Sequence, residues 1–246
     1  MRLKLLGSYV DNVTMAETIA RVEEIMIAKT PTQHVVINAS KINLMKQDQK
    51  LAAIVNAAPL INADGASILL AGKLLNTPLK ERVTGIDLFV QLLQVNEDKG
   101  YRPYFFGATE EVVQTVIKKV KQGYPNLDIA GYRNGYFTEE ESPEIAADIR
   151  KSGADMVFVA FSSPMKEYWI DTYKEAMGAT FVMGVGGSFD ILAGKTKRAP
   201  EWMQAAHLEW LYRLLQEPRR MFKRYLVGNL TFLGHVLKEK WQLRHG

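Results

Sequence analysis

A single carboxylate stands among the small polar residues that follow the apolar runs of this chain. Asp64 lies where a buried strand should end and a helix should begin, with Gly65 directly after it. Aspartate at such a position can cap the helix, since its carboxylate accepts from free backbone N–H groups. It can also act as a general base for an acceptor hydroxyl, and the helix N-terminus would favour its ionised form. Position alone leaves both roles open.

A glycine-rich segment, Gly184-Val185-Gly186-Gly187-Ser188, follows the last apolar run and precedes Asp190. Its backbone N–H groups could hold a diphosphate, and a plain tight turn is the alternative. A dinucleotide-binding fingerprint would open the first strand-helix-strand unit and place an acid about 20 residues later. Here the glycines come last and Asp190 is nearly adjacent. This arrangement speaks against a nucleotide-cofactor oxidoreductase, which we keep as an alternative.

Further polar and basic side chains flank other predicted elements. Asn38 and Ser40 follow the first long strand, and Arg82 comes just before a predicted helix start. The planar guanidinium of Arg82 suits phosphate binding. The alternative is that Arg82 belongs to an ordinary charged loop exposed to solvent. Ser163 is expected to cap a later helix, and Lys166 lies within one turn of the same predicted pocket.

Metal-binding patterns are missing from the sequence. There is no cysteine, no Asp-x-Asp pair, and the four histidines lie far apart without ligand spacing. We therefore expect neither a metal nor another cofactor, so a leaving diphosphate would need positive side chains. Arg213, Arg220 and Arg224 are candidates, and Pro218 between them suggests that they converge rather than align on one helix.

Apolar runs rich in β-branched and aromatic residues alternate with segments of helical spacing. Capping boxes predict helix starts at Thr14, Thr84 and Thr138. This alternation predicts an α/β, Rossmann-like fold with a mostly parallel sheet and helices on both faces. Ligands of such folds bind outside the carboxyl ends of the strands. The predicted strands are residues 34–39, 59–63, 102–106, 127–131, 155–161 and 180–185.

Charge divides the chain into a body, residues 1–194, and a C-terminal helical appendage, residues 195–246. The appendage has eleven Lys/Arg against four Glu and three of the four Trp, whereas the body has twenty Lys/Arg against twenty-three Asp/Glu. A basic, aromatic appendage predicts an anionic partner. Nucleic acid is disfavoured, because the aromatic residues follow an apolar stripe and no nucleic-acid-binding motif occurs.

The apolar stripe of the appendage recurs at helical spacing: Phe222, Leu226, Leu230, Leu233, Leu237 and Trp241. An amphipathic helix of this kind can pack on the body or lie on an anionic membrane, and both roles remain open. The N-terminus does not read as a signal peptide, and residues 225–237 are too short to span a bilayer. We expect a cytoplasmic protein whose membrane contact is peripheral.

Ordered motifs along essentially the whole chain resemble the WecG/TagA/CpsF family of glycosyltransferases. They include Ala63-Asp64-Gly65, Glu81-Arg82-Val83-Thr84-Gly85, the stretch 131–137 ending in Gly-Tyr-Phe, the segment 184–190, Arg198-Ala199-Pro200, residues 208–213 and Glu217-Pro218-Arg219-Arg220.

The resemblance implies an inverting, metal-independent transferase that moves a sugar, N-acetylmannosamine or a related uronic acid, from a UDP-sugar donor. The acceptor would be a polyprenyl-diphosphate-linked sugar in teichoic acid or another envelope polysaccharide. It implies that Asp64 is the base, and that Arg213, Arg220 and Arg224 close over the donor diphosphate. It also implies that the appendage docks on the inner face of the cell membrane. The sequence leaves the oligomeric state open, with a homo-oligomer among the options, and a non-catalytic membrane adaptor remains an alternative to the enzyme.

Two positions depart from the family pattern. The usual Thr-x-Asn is Val36-Ile37-Asn38, which keeps the amide, and the usual Pro-Lys-Gln-Glu is Pro164-Met165-Lys166-Glu167. The cation of Lys166 in place of a neutral amide could favour a donor that carries a carboxylate, or bind diphosphate more tightly.

Overall fold

The computed structural model describes residues 1–206, 208–222 and 226–245, except for the side chains of residues 205, 220 and 221. Its centre is a six-stranded parallel sheet in the order β4-β3-β8-β7-β5-β6, beside a separate β1-β2 hairpin. The strands are β1 (Arg2–Leu5), β2 (Ser8–Asp11), β3 (Thr32–Ile37), β4 (Leu60–Ala63), β5 (Pro103–Gly107), β6 (Gly131–Arg133), β7 (Met156–Ala160) and β8 (Phe181–Gly184).

Helices cover both faces of the sheet and make up the appendage. They are α1 (Met15–Ala28), α2 (Ala39–Gln47), α3 (Gln49–Ala57), α4 (Ala66–Leu74), α5 (Gly85–Lys99), α6 (Glu110–Gly123), α7 (Ser142–Lys151), α8 (Met165–Met177), α9 (Ser188–Ala193), α10 (Glu201–Ala205), α11 (Glu209–Gln216), α12 (Pro218–Phe222) and α13 (Gly228–His245). The predicted α/β fold with a helical C-terminus is confirmed.

Alternate residues of each central strand face opposite cores, which is why these strands are apolar without interruption. Phe105 and Phe158 pack with Phe89 and Phe189 under α1, α5, α6 and α9. On the other face, Phe106 packs against Trp169 of α8. Burial on both faces fixes the register of the sheet and holds the carboxyl ends of its strands at one edge.

The predicted helix starts are confirmed. The side chains of Thr14 and Glu17 cap α1 reciprocally, and Thr138 with Glu141 forms the same box at a short 3-10 turn. At α5 only half of the predicted box forms: the hydroxyl of Thr84 accepts from the Asp87 backbone N–H, but the Asp87 carboxylate accepts from that hydroxyl instead of from the Thr84 backbone.

Two predictions of strands need correction. The strand predicted at 127–131 is wrong, since β6 begins only at Gly131; Leu127 is buried, but it packs into the core from a loop. The β1-β2 hairpin was not predicted, because four-residue strands give too short an alternation to stand out. The hairpin closes the β4 edge, where Asp11 Oδ2 accepts from the Ile61 backbone N–H at 2.8 Å.

Helix α13 of the appendage packs back on the body through one narrow face. Phe232 and Val236 are buried in the core that contains Ile42 and Met45 of α2. The predicted stripe lies beside this buried face and is exposed at Leu230, Leu233, Leu237 and Trp241. The packing alternative for this stripe is therefore wrong. Within the described residues, no helix combines the length and apolarity that crossing a bilayer requires.

Candidate active site

A cavity of about 430 Å³ opens at the carboxyl edge of the sheet, between the body and α11. Most of the site residues predicted from the sequence line it: Asn38, Ser40, Asp64, Arg82, Lys166, Gly184, Gly186, Gly187, Ser188, Asp190 and Arg213. The central geometric expectation is met, because Asp64 and the glycine-rich segment share one cavity. Parallel strands put their carboxyl ends together, so residues distant in sequence converge here.

Asp64 does not cap α4. The N-cap of that helix is Gly65, at a φ of 106° and without a side-chain cap, so the capping role considered for Asp64 is wrong. The backbone N–H of Gly85, at the start of α5, acts to lower the pKa of its carboxyl group. Its own N–H donates to the Ile37 carbonyl at 2.8 Å, which ties the end of β4 to β3. Asp64 thus lines the cavity from the end of β4, beside the start of α5.

The surroundings of Asp64 make it a stronger base than an ordinary aspartate. Burial raises the pKa of Asp64 above its usual value. Among neighbouring charges, Arg82 and Arg213 lower this pKa and Glu209 raises it. A carboxylate with a raised pKa accepts a proton more readily than an ordinary aspartate does.

The glycine-rich segment forms the turn between β8 and α9. Gly186 has a φ of +54°, in the left-handed region that favours glycine. A Cβ on Gly184 would lie 2.7 Å from Cδ of Lys166, so the small residue lets that lysine pass over the strand end. Ser188 Oγ donates to the Val185 carbonyl at 2.8 Å, which closes the turn and leaves the hydroxyl oxygen as an acceptor.

Lys166 is held beside the glycine segment by a nearly buried charge network. Its Nζ donates to Ser163 Oγ at 2.5 Å and lies 3.3 Å from Oε1 of Glu167. The same Glu167 oxygen accepts from Ser163 Oγ and pairs with Nζ of Lys41. Lys41 and Glu167 are only 3% and 2% exposed. Lys41 and Glu167 therefore lie behind the cavity wall and Lys166 borders the cavity, two basic groups with one acid between them.

Burial and charge within this network shift the pKa values of Lys41 and Glu167. Burial, and then the charge of Lys166, lower the pKa of Lys41 to about 8. Burial acts to raise the pKa of Glu167, but the charges of Lys41 and Lys166 outweigh it and hold that pKa below its usual value. Glu167 is thus an anion that fixes two cations, one of which borders the cavity.

Ser163 was expected to cap α8, and this expectation is wrong. The N-cap of α8 is Pro164, and the Ser163 side chain turns towards Lys166 and Glu167. Ser163 supports Lys166 from behind rather than lining the cavity. Neither Lys41 nor Glu167 was predicted as a site residue, although Glu167 belongs to the motif Pro164-Met165-Lys166-Glu167. A buried lysine on the polar-looking helix α2 carries no local signal, since its partner is 126 residues away.

Asn38 and Ser40 lie at the end of β3 as expected. The Asn38 side chain caps α2, its Oδ1 accepting from the Lys41 backbone N–H at 3.0 Å, while the residue also lines the cavity. The amide therefore shapes the cavity wall and orders the turn that carries Lys41.

The appendage closes one side of the cavity through α11. Glu209 Oε2 accepts from a guanidinium nitrogen of Arg82 at 2.7 Å, and Arg198 pairs with Asp87 at 2.6 Å. Arg82 is only 15% exposed, so the solvated-loop alternative for it is wrong. Glu209 was not predicted as a site residue, although it belongs to one of the motifs quoted above.

The predicted arginine trio is placed only in part. Arg213 lines the cavity from α11. Pro218 starts α12 directly after α11 has ended at Gln216, so the expected helix break is confirmed. The Arg220 side chain and the whole of Arg224 lie outside the described residues.

Charges on the described cavity lining do not favour one sign. Arg82, Lys166 and Arg213 are basic, whereas Asp64, Asp190, Glu209 and Glu217 are acidic. A diphosphate would therefore gain from additional positive charge. Among the described residues, no group of three or more His, Cys, Asp or Glu lies together as a metal site would require.

Comparisons with known proteins agree with the resemblance noted from the sequence. The model of the glycosyl transferase WecG/TagA/CpsF family matches residues 3–246. A Bacillus spizizenii protein is 39% identical over 194 residues, covering 79% of this chain and 74% of the relative. A Staphylococcus aureus protein is 30% identical over 245 residues, covering 99% and 95%. Both relatives are named N-acetylglucosaminyldiphosphoundecaprenol N-acetyl-beta-D-mannosaminyltransferase.

Proposed function

Because this chain belongs to the glycosyl transferase WecG/TagA/CpsF family, we propose that it transfers N-acetylmannosamine from its UDP derivative to N-acetylglucosamine carried on polyprenyl diphosphate. The observation that carries the proposal is the shared cavity of Asp64 and the glycine segment, covered by α11. It places a candidate base and candidate diphosphate ligands in one cavity. Family membership leaves the oxidoreductase and the non-catalytic adaptor without support.

The reaction we propose is a single displacement. Asp64 takes the proton from an acceptor hydroxyl as its oxygen attacks the anomeric carbon of the donor sugar. A new glycosidic bond forms while the bond from that carbon to the diphosphate oxygen breaks, and UDP leaves with the electron pair. Attack opposite to the leaving group inverts the anomeric configuration. The raised pKa of Asp64 suits this role, since a more basic carboxylate takes the proton more readily.

The leaving diphosphate would lie against the glycine segment. Backbone N–H groups of residues 184–188, together with Arg82, Lys166 and Arg213, would stabilise its developing charge. Because acids on the same lining offset these cations, we propose that Arg220 and Arg224 close the site over bound donor. Side-chain cations would then take the role that a metal has in other transferases, and we propose a metal-independent reaction without a cofactor.

Glu209 has to be accommodated in this scheme. Glu209 accepts a hydrogen bond from the Arg82 guanidinium in the structure. The donor phosphate and Glu209 would therefore compete for, or share, the N–H groups of Arg82. Arg82 has several N–H donors, which allows both contacts at once.

The exposed stripe supports a peripheral membrane position. Leu230, Leu233, Leu237 and Trp241 would contact lipid, and the basic residues of the appendage would approach anionic headgroups. We propose that the enzyme acts on the inner face of the cell membrane, where a polyprenyl-diphosphate acceptor would be reached.

A product assay tests the proposal directly. Purified full-length protein is incubated with UDP-N-acetylmannosamine and a short-chain lipid-diphosphate N-acetylglucosamine, with and without EDTA. We expect a disaccharide-diphosphate product of inverted configuration by mass spectrometry and NMR, at equal rates in both samples. Absence of transfer would contradict the function, and loss with EDTA alone would contradict metal independence.

The donor specificity is tested in the same assay. UDP-N-acetylglucosamine and UDP-N-acetylmannosaminuronic acid replace the donor, with Lys166→Gln as the matched variant. A preference for the uronic acid that Lys166→Gln abolishes would assign the carboxylate of that donor to Lys166. A loss of affinity for every donor would assign Lys166 to the diphosphate.

A further inference from the structure

A second, smaller hollow of about 240 Å³ lies away from the active-site cavity. It forms where the C-terminal end of α4 meets the C-terminal end of α13. We call it the basic hollow; it is lined by Lys73, Leu74, Leu75, Asn76, Lys240, Leu243 and Arg244. None of these residues lines the active-site cavity.

The described lining of the basic hollow is cationic. Lys73, Lys240 and Arg244 contribute three positive charges from two separate helices, and none of the described lining residues is an acid. The nearest acid in sequence, Glu239, turns away and accepts from the Leu6 backbone N–H at 2.9 Å. Three like charges brought together without an acid predict an anionic ligand.

The basic hollow borders the exposed apolar stripe. Lys240 and Arg244 each follow a stripe residue, Leu237 and Trp241, by three positions, so they lie on the same side of α13. Leu237 and Trp241 are 56% and 63% exposed. Helix α4 adds Leu70, which is 59% exposed and lies one turn before Lys73. Apolar surface and concentrated positive charge thus form one continuous face.

We propose that the basic hollow binds the headgroup phosphate of an anionic phospholipid while the stripe contacts the acyl chains beside it. The choice of a lipid rests on charge complementarity and on this adjacency, since a free phosphate would make no use of the exposed apolar residues. This inference rests on the membrane contact in the proposed function and adds a defined lipid site to it.

Such a site would orient the enzyme on the bilayer. Asn229, near the start of α13, lines the active-site cavity, and Lys240 lies eleven residues later on the same helix. At 1.5 Å per residue the two points are about 16 Å apart along α13. One lipid anchored in the basic hollow would therefore set the distance at which the active-site mouth meets the membrane surface.

Vesicle flotation tests the lipid site. The intact protein, the double variant Lys240→Gln with Arg244→Gln, and a control pair on α6, Lys118→Gln with Lys121→Gln, are compared. Both variants lose two charges, and the control lysines are exposed on the body. Vesicles contain phosphatidylcholine with or without phosphatidylglycerol. We expect about tenfold weaker binding to phosphatidylglycerol vesicles for the hollow variant, and a change within about twofold for the control.

Three results would overturn the proposal. An equal loss in both variants would mean that binding follows total charge, and no loss in the hollow variant would mean that the hollow takes no lipid. Displacement of the intact protein from vesicles by low inorganic phosphate would assign the hollow to a free anion. Thermal melting of each variant checks folding, and Lys73→Gln supplies a second variant from α4. Flotation needs no UDP-sugar, so its outcome is independent of the transfer assay.

Discussion

Helices α6 and α13 each carry an apolar stripe, and the two stripes have opposite fates in the fold. On α6, Val113, Val116 and Ile117 form an apolar stripe that is buried against the sheet. On α13 the stripe that includes Leu233 and Leu237 is about half exposed. The body satisfies its own amphipathic helices, whereas the appendage presents apolar surface that no described residue covers. Amphipathicity predicts a helix and an apolar face, but it does not say what that face contacts.

The two regions also differ in how they use ion pairs. Lys41 and Glu167 in the body are almost fully buried, so each holds the other in a low-dielectric setting. Arg82 of the body and Glu209 of the appendage are 15% and 24% exposed, at the joint between the regions. A buried pair is costly to break, whereas a pair at a joint can open with little loss. The body is therefore expected to be rigid and the joint adjustable.

Substitution of Asp64 should have the largest effect if the body holds the chemistry. Asp64→Asn removes the base and should reduce kcat by two to four powers of ten, measured by product formation. Because the fold raises the pKa of Asp64, its ionised form is disfavoured in the folded state, and stability falls as pH rises from the unfolded pKa through the higher folded pKa. Asn removes this penalty, so the melting temperature at neutral pH should stay equal or rise.

Asp190→Asn is the matched control, since Asp190 lines the same cavity from the first turn of α9. It should keep far more activity than Asp64→Asn. Near-normal turnover of Asp64→Asn would refute the assignment of the base, and a large fall in its melting temperature would give Asp64 a structural role instead.

Glu167→Gln tests the buried pair. It leaves Lys41 without its anion in the interior, so we expect a loss of about 3 kcal/mol in the free energy of unfolding, measured with denaturant. Adding Lys41→Met should recover much of this loss, because an apolar side chain needs no partner. Glu209→Gln, at the joint, should cost no more than about 1 kcal/mol. Equal losses at Glu167 and Glu209 would remove the contrast between the two pairs.

Paired truncations test the contrast between the two apolar stripes. Ile117→Ala on α6 removes a buried side chain and should cost about 2 to 5 kcal/mol in the free energy of unfolding. Leu237→Ala on α13 should stay within about 0.5 kcal/mol in the absence of lipid and should weaken vesicle binding. A large destabilisation by Leu237→Ala would show that this face packs on protein in solution.

The smallest effect concerns pH. In the pH profile of kcat/KM, the acidic limb should report the ionisation of the Asp64 carboxyl group. Its midpoint should lie above the ordinary aspartate pKa of about 3.9. Glu209 raises the pKa of Asp64 and Arg213 lowers it. Glu209→Gln should therefore move the limb to lower pH and Arg213→Gln to higher pH. Shifts in the same direction would mean that another group controls the limb.

The joint between the regions also bears on how the appendage should be tested. Phe232 and Val236 complete a core of the body, so deletion of residues 195–246 would expose Ile42 and Met45. A truncated protein would lose stability as well as α11. Single substitutions at Glu209 and Arg213 separate these effects. The division into residues 1–194 and 195–246 stays a prediction.

The sequence alone determined the features that depend on neighbours along the chain. Caps such as Thr14 with Glu17 are local, and five of the six predicted strands of the sheet were located within about two residues. The shared cavity of Asp64 and the glycine segment was also predictable, because parallel strands place their carboxyl ends at one edge whatever their order.

Tertiary structure decided the features that depend on distant partners. Lys41 with Glu167, and Arg82 with Glu209, are separated by 126 and 127 residues, and no local pattern pairs them. The sequence also did not determine which side of α13 packs on the body, because Phe232 and Val236 form a second apolar face beside the longer stripe. Which face is buried depends on the shape of the surface it meets, and only the folded body supplies that surface.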